Sequence, residues 1–204
     1  MTDSDASRIG PNSVIQTLRA LRELEEAQVA REVPARAALP ESWPDGMIPE
    51  AWFVRLVRAL RETLPAGRSE AVLRRSGRYT ADYVRKNRIP ALFRGLLRLL
   101  PSRLGIPLLL AAFRRHAWTF AGAGRFSTEG GFPGPGPGTI VLEDCPTCRS
   151  DTANLSLPHA GAYYEAAFEG LLQLAARNVR VREVACQASR APCCRFQITL
   201  ADPV

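Results

Sequence analysis

YYEAAFEGLLQLAARN (163–178), VRVREVAC (179–186) and CCRFQITL (193–200) decide the fold. The first segment reads as one helix with Tyr164, Phe168, Leu171, Leu172 and Ala175 inward, the other two as strands joined by a short polar link. Glu183, Cys186 and Cys194 are spaced as metal ligands would be, and CPTC upstream adds Cys145 and Cys148. Zinc takes four ligands from thiolate, imidazole and carboxylate in a tetrahedral array. Residues three apart on a regular strand point to opposite faces. Glu183 and Cys186 can therefore share an ion only if the strand bulges or turns near Ala185. Every candidate ligand is soft or anionic and no general base stands beside them, so the expected role is structural. An iron–sulfur cluster suits the glutamate less well. The plainer alternative is that these are small buried core residues, since free cysteine is often buried.

Outward from this stretch, the order of elements points to α+β: N-terminal helices, then an antiparallel sheet with one inserted helix. Residues 1–48 read as an N-terminal helix, running from Asn12 or Ser13 to about Glu32, and a proline-rich linker, VPARAALPESWPDGMIP. Residues 49–204 read as the main domain, helical over 49–117 and carrying the sheet and metal site over 118–204. Phe53, Leu56, Val57, Leu60 and Leu64 mark one helix face. A second helix is expected over about 70–87, a third between Pro90 and Pro101, and a fourth over 102–117. WTFAGAGRFS and TIVLED are expected as strands, GGFPGPGPG as a surface loop, and CPTCRSDTANLSLPH as a loop.

The chain has 204 residues and a net charge of +7, nearly all of it arginine, with Lys86 the single lysine. A basic surface favours acidic partners, but no nucleic-acid motif stands out, and none is expected to bind. The N-terminus is acidic and has no apolar signal core, and the longest apolar run, Leu104–Phe113, is about half the ~20 residues a spanning helix needs. Five cysteines, an odd number, fit a reducing cytosol.

Glu183, Cys186, Ala188, Cys194 and Phe196 resemble the closing motif of the 4-vinyl reductase domain family, a helix followed by E-x2-C-x-A-x-G-x3-C-x-F. That resemblance implies Glu183, Cys186 and Cys194 as zinc ligands and an α+β fold shared with vesicle-tethering subunits. The family's glycine is Ser189 or Arg190 here, so the turn is expected to close differently. A further family cysteine falls where this chain has His159, Ala160 and Gly161, leaving Cys145, Cys148 or His159 to supply the fourth ligand. RIGPNSVIQ, HAWTFAGAGRFS, EDCPTC and YYEAAFEGL extend the resemblance to the J-protein family of bacteriochlorophyll biosynthesis, named for reduction of a 4-vinyl group. It implies a role in making bacteriochlorophyll at or near vinyl reduction of a magnesium tetrapyrrole. It also implies pathway enzymes such as magnesium chelatase as partners, and a cytoplasmic location at the inner face of the photosynthetic membrane. A homodimer is expected only by analogy.

Three readings follow: a carrier of magnesium-porphyrin or chlorophyllide intermediates, the 4-vinyl reductase itself, or a ligand-sensing or interaction module. A reductase needs a redox cofactor site, and Gly122–Gly124 is not followed by a helix with a third glycine. A tetrapyrrole pocket wants apolar walls and a cation at the rim. Phe113, Arg114, Arg115, His116, Trp118, Phe120 and Phe126 supply such residues together. His116 or His159 is the candidate magnesium ligand, and Arg114 or Arg115 the partner of a propionate. The plainer alternatives are hydrogen-bonded histidines and aromatics packed in the core.

Overall fold

Prolines punctuate the helical half. A computed structural model describes residues 7–42, 44–131, 138–149 and 161–201. In it α1 (Asn12–Leu24), α3 (Glu50–Thr63), α4 (Ala66–Asn87), α5 (Ala91–Leu99) and α6 (Ser102–Arg115) each begin immediately after a proline. A proline costs a helix nothing at this position, because its missing N–H would have had no intrahelical partner and its φ is already helical. Two departures from expectation occur near the N-terminus. The long first helix breaks at Glu25, whose backbone is extended, and α2 (Ala27–Arg36) takes up part of the proline-rich stretch with Pro34 inside it. Strands β1 (Arg8–Ile9) and β2 (Ile48–Pro49) then pair antiparallel beside α3.

The expected strand over WTFAGAGRFS is a helical turn, α7 (Trp118–Ala121), and only Arg125–Glu129 is strand (β3). The cause is long-range. Gly122 takes a left-handed φ of 59°, and the carboxylate of Glu50 fills the space a side chain would occupy there. Glu50 is fully buried, accepts a hydrogen bond from the Ala123 N–H at 2.9 Å and pairs with Arg149 Nη2 at 2.7 Å.

The sheet runs β3–β4–β6–β5, all antiparallel, with β4 at Gly138–Glu143, β5 at Val179–Ala185 and β6 at Cys194–Leu200. Val179, Val181 and Glu183 alternate with exposed Arg180 and Arg182, so Glu183 falls on the apolar face. Helix α9 (Ala162–Leu172) is packed against β5 on one side and α4 on the other, and nine of its residues are buried. Gly77 of α4 lets the helices touch: a methyl group there would collide with the Tyr163 carbonyl oxygen. Phe113, Phe120 and Phe126 join Phe168, Tyr164 and Phe196 in one aromatic cluster between helices and sheet. Phe113, Phe126, Phe168, Tyr164 and Phe196 are buried, and Phe120 packs partly buried against them. Among the described residues no helix is long and apolar enough to cross a membrane.

Candidate metal centre and neighbouring surface

The closing hairpin turns at Gln187–Ser189, one short 3-10 turn, and Arg190 follows with a left-handed φ of 67°. This is where the family pattern has glycine. Arginine thus holds a left-handed backbone at the position where the resemblance has glycine. Upstream, the register slips between Glu183 and Ala185, which is the bulge the metal reading required.

These two irregularities bring the side chains together. Cys145, Cys148 and Cys194 offer sulfurs within 4.8 Å of one another, and so do the ligand atoms of Glu183, Cys186 and Cys194. Cys194 belongs to both groups. Cys148 Sγ links them, 3.3 Å from Cys194 Sγ and 3.5 Å from Cys186 Sγ. Sulfurs around tetrahedral zinc sit about 3.8 Å apart, given Zn–S near 2.3 Å, so a small outward shift would admit an ion. All five side chains are buried. The five cysteines are free thiols, and Cys193 points out of this group, with Arg195 Nη1 3.9 Å from its sulfur.

The electrostatics are those of a site short of positive charge. Burial, and then the neighbouring Cys186, push Glu183 from its ordinary 4.5 up to about 8. Its Oε2 accepts from the Gly161 N–H at 3.1 Å, while its buried Oε1 has no hydrogen-bond partner among the described residues. Gly161 is obligatory, since a side chain there would strike Glu183 Oε1 and the Phe196 ring. Burial pushes the Cys145 thiol up, but hydrogen bonds from Cys148, Cys194 and Thr147 outweigh it and hold it well below the usual thiol range. Cys194 is pushed up by sharing protons with Cys145, Cys148 and Cys186, and Cys186 by Cys148. Such a cluster keeps protons only until a cation arrives to replace them.

Sequence reasoning missed the residues that hold this cluster. The CPTC loop contains one helical turn, α8 (Pro146–Arg149). Arg61 donates to the Thr147 carbonyl at 2.7 Å, and Arg149 reaches both Glu50 and the Asp144 carbonyl. Gln187 receives the Cys145 N–H on its side-chain oxygen at 2.8 Å and donates its own backbone N–H to Cys194 Sγ at 3.4 Å. Glu165 of α9 accepts the Glu183 N–H at 2.8 Å and pairs with Arg74. Arg61 and Glu165 lie far in sequence from what they hold, whereas Arg149 stands beside Cys148 and Gln187 beside Cys186, which was their only local signal. His159 lies outside the described residues.

The candidate pigment residues sit elsewhere. Arg114, Arg115 and His116 are exposed at the end of α6, and Trp118 is exposed on α7. An open depression of about 440 Å3 lies between α5 and α6, lined by Phe93, Leu108, Ala111, Ala112, Arg114 and Arg115. His116 and Trp118 follow it in the chain but do not line it.

No protein-family model matches the chain. It is 37% identical over 195 residues to the bacteriochlorophyll synthase 23 kDa chain of Cereibacter sphaeroides, covering 95% of this chain and 91% of that protein. It is 38% identical over 193 residues to the protein of the same name from Rhodobacter capsulatus, covering 93% and 86%. These relatives carry that name rather than the J-protein and vinyl-reductase names the sequence led us to expect, and a 4-vinyl reductase domain is not shown. In fold, the chain is similar to an H-NOX protein of K. algicida (TM-score 0.60, 9% identity, 95% of this chain and 97% of that one). An H-NOX protein from S. oneidensis gives a TM-score of 0.53 at 13% identity, covering 95% and 100%. The fold neighbours are thus H-NOX domains.

Proposed function

The chain belongs to the bacteriochlorophyll synthase 23 kDa chain family, and from that premise we propose that it serves bacteriochlorophyll synthesis by binding a magnesium-tetrapyrrole intermediate for the pathway's enzymes. One observation carries the reading: the depression between α5 and α6 has apolar walls and two arginines at its rim. A flat apolar ring bearing carboxylates is matched by that pairing. Phe93, Leu108, Ala111 and Ala112 would cover a ring face, and Arg114 or Arg115 would meet a propionate. His116, exposed at the end of the same helix but outside the lining of the depression, is the proposed magnesium ligand. A further fold neighbour is an H-NOX protein used to probe the function of heme distortion in its family. Heme belongs to the same tetrapyrrole class, which supports the reading at the level of fold.

The cysteine cluster is read as a structural zinc site held by Cys148, Cys186, Cys194 and Glu183, with Cys145 behind them. Cys148 takes the place the resemblance left open, because its sulfur is nearest to those of Cys186 and Cys194, while Cys145 is engaged by Thr147 Oγ1 at 3.1 Å. Glu183 Oε1, buried and without a hydrogen-bond partner among the described residues, supports this reading. When bound, zinc would hold the 145–149 turn to the β5–β6 hairpin.

Titration of the purified protein with protochlorophyllide, followed by absorbance and fluorescence, tests the pigment reading. Saturable binding is expected, weakened about tenfold or more by R114A/R115A, the size of losing a charge-assisted contact. No spectral change with wild-type protein would overturn it. Conversion of divinyl to monovinyl pigment by pure protein with NADPH or reduced ferredoxin would replace the carrier with the reductase.

A further inference from the structure

Helices α5 and α6 carry leucines on the side that a soluble helix keeps polar. Leu92, Leu96 and Leu99 recur at i, i+4 and i+7 along α5 and face solvent, Leu92 at 87% and Leu99 at 84% exposure. Leu104 and Leu108 do the same along α6. Other apolar residues, Leu97, Ile106, Leu109 and Phe113, already anchor the pair to the core. Each helix is therefore apolar on two sides, one buried and one bare.

The charge beside these leucines is of one sign. From Tyr83 to Thr128 the sequence has nine basic residues and no Asp or Glu. Arg98, Arg103, Arg114 and Arg115 are exposed, and among the described residues none of them has a carboxylate partner. Bare leucines interleaved with unpaired arginines fit the interface of an anionic bilayer, where chains take the apolar stripe and headgroup phosphates the guanidinium groups. A second copy of the chain fits less well, because a two-fold contact would set this basic face against itself.

We propose that the α5–α6 face docks on the surface of an anionic membrane. It binds there peripherally, since no described helix is long and apolar enough to span. The docking holds whether or not the neighbouring depression takes a pigment.

Flotation of the full chain with pigment-free vesicles tests it. Binding is expected to phosphatidylcholine vesicles containing phosphatidylglycerol, weaker to phosphatidylcholine alone, and reduced by salt. L92S/L99S and R98E/R103E should each lower partitioning about tenfold or more, with circular dichroism and melting unchanged because all four side chains are exposed. The proposal is overturned if wild-type protein stays unbound with anionic vesicles, or if both double variants bind as well as wild type. It is equally overturned if sedimentation shows a dimer that L92S/L99S dissolves, for then a second copy covers the leucines. A failed protochlorophyllide titration leaves all these outcomes readable, since no pigment is present.

Discussion

The cysteine cluster and the α5–α6 face break the ordinary rule of burial in opposite directions. At the cluster, a carboxyl and four thiols are buried, and among the described residues one oxygen lacks a partner. On α5 and α6, leucines stand exposed beside arginines that have no carboxylate partner among the described residues. Each surplus defines what would relieve it: a cation inside, an apolar anionic surface outside. The supports differ too. Arg61, Arg149, Gln187 and Glu165 tie the cluster's backbone from four elements, whereas Leu92 and Leu99 are more than four-fifths exposed.

The sharpest way to break the comparison is to remove a cluster sulfur. C148S or C194S should abolish bound zinc, measured by elemental analysis, and lower the melting temperature by about 10 °C, the shift several kcal/mol produces in a chain of this size. C193S should keep the metal, because that sulfur lies outside the group. Next comes pH. Without metal, the folded protein carries a proton on Glu183 between the ordinary 4.5 and about 8, so its stability is greatest below that window and falls as pH rises through it. With zinc the trend reverses, since metal displaces protons and binds more tightly as pH rises. Melting curves of chelated and zinc-loaded protein should therefore slope oppositely, and E183Q should flatten the chelated one. A smaller gain is expected from R190G, about 1 kcal/mol, because glycine relieves the left-handed backbone that arginine tolerates. The least effect should come from L92S/L99S, within about 0.5 kcal/mol by denaturant melts, since those side chains support nothing in the folded chain. A large loss there would show that the face is covered within the protein itself.

Much of this was legible in sequence wherever the cause was local. The 3.6-residue period of Phe53, Leu56, Val57 and Leu60 marked α3, and VRVREVAC read as the strand that β5 forms. The need for a bulge follows from strand geometry alone. What was hidden depended on distant residues. The turn at Trp118–Ala121 is set by Glu50, far upstream, whose carboxylate occupies the space beside Gly122. The ties from Arg61 and Glu165 likewise depend on which elements the fold brings side by side.

The closeness of the sulfurs has a practical outcome at the bench. Cys148 and Cys194, 3.3 Å apart, need only give up two electrons and two protons to dissolved oxygen to become a covalent cross-link. Protein purified in air will then arrive joined and empty, and its zinc content will report the reductant in the buffer as faithfully as it reports the site.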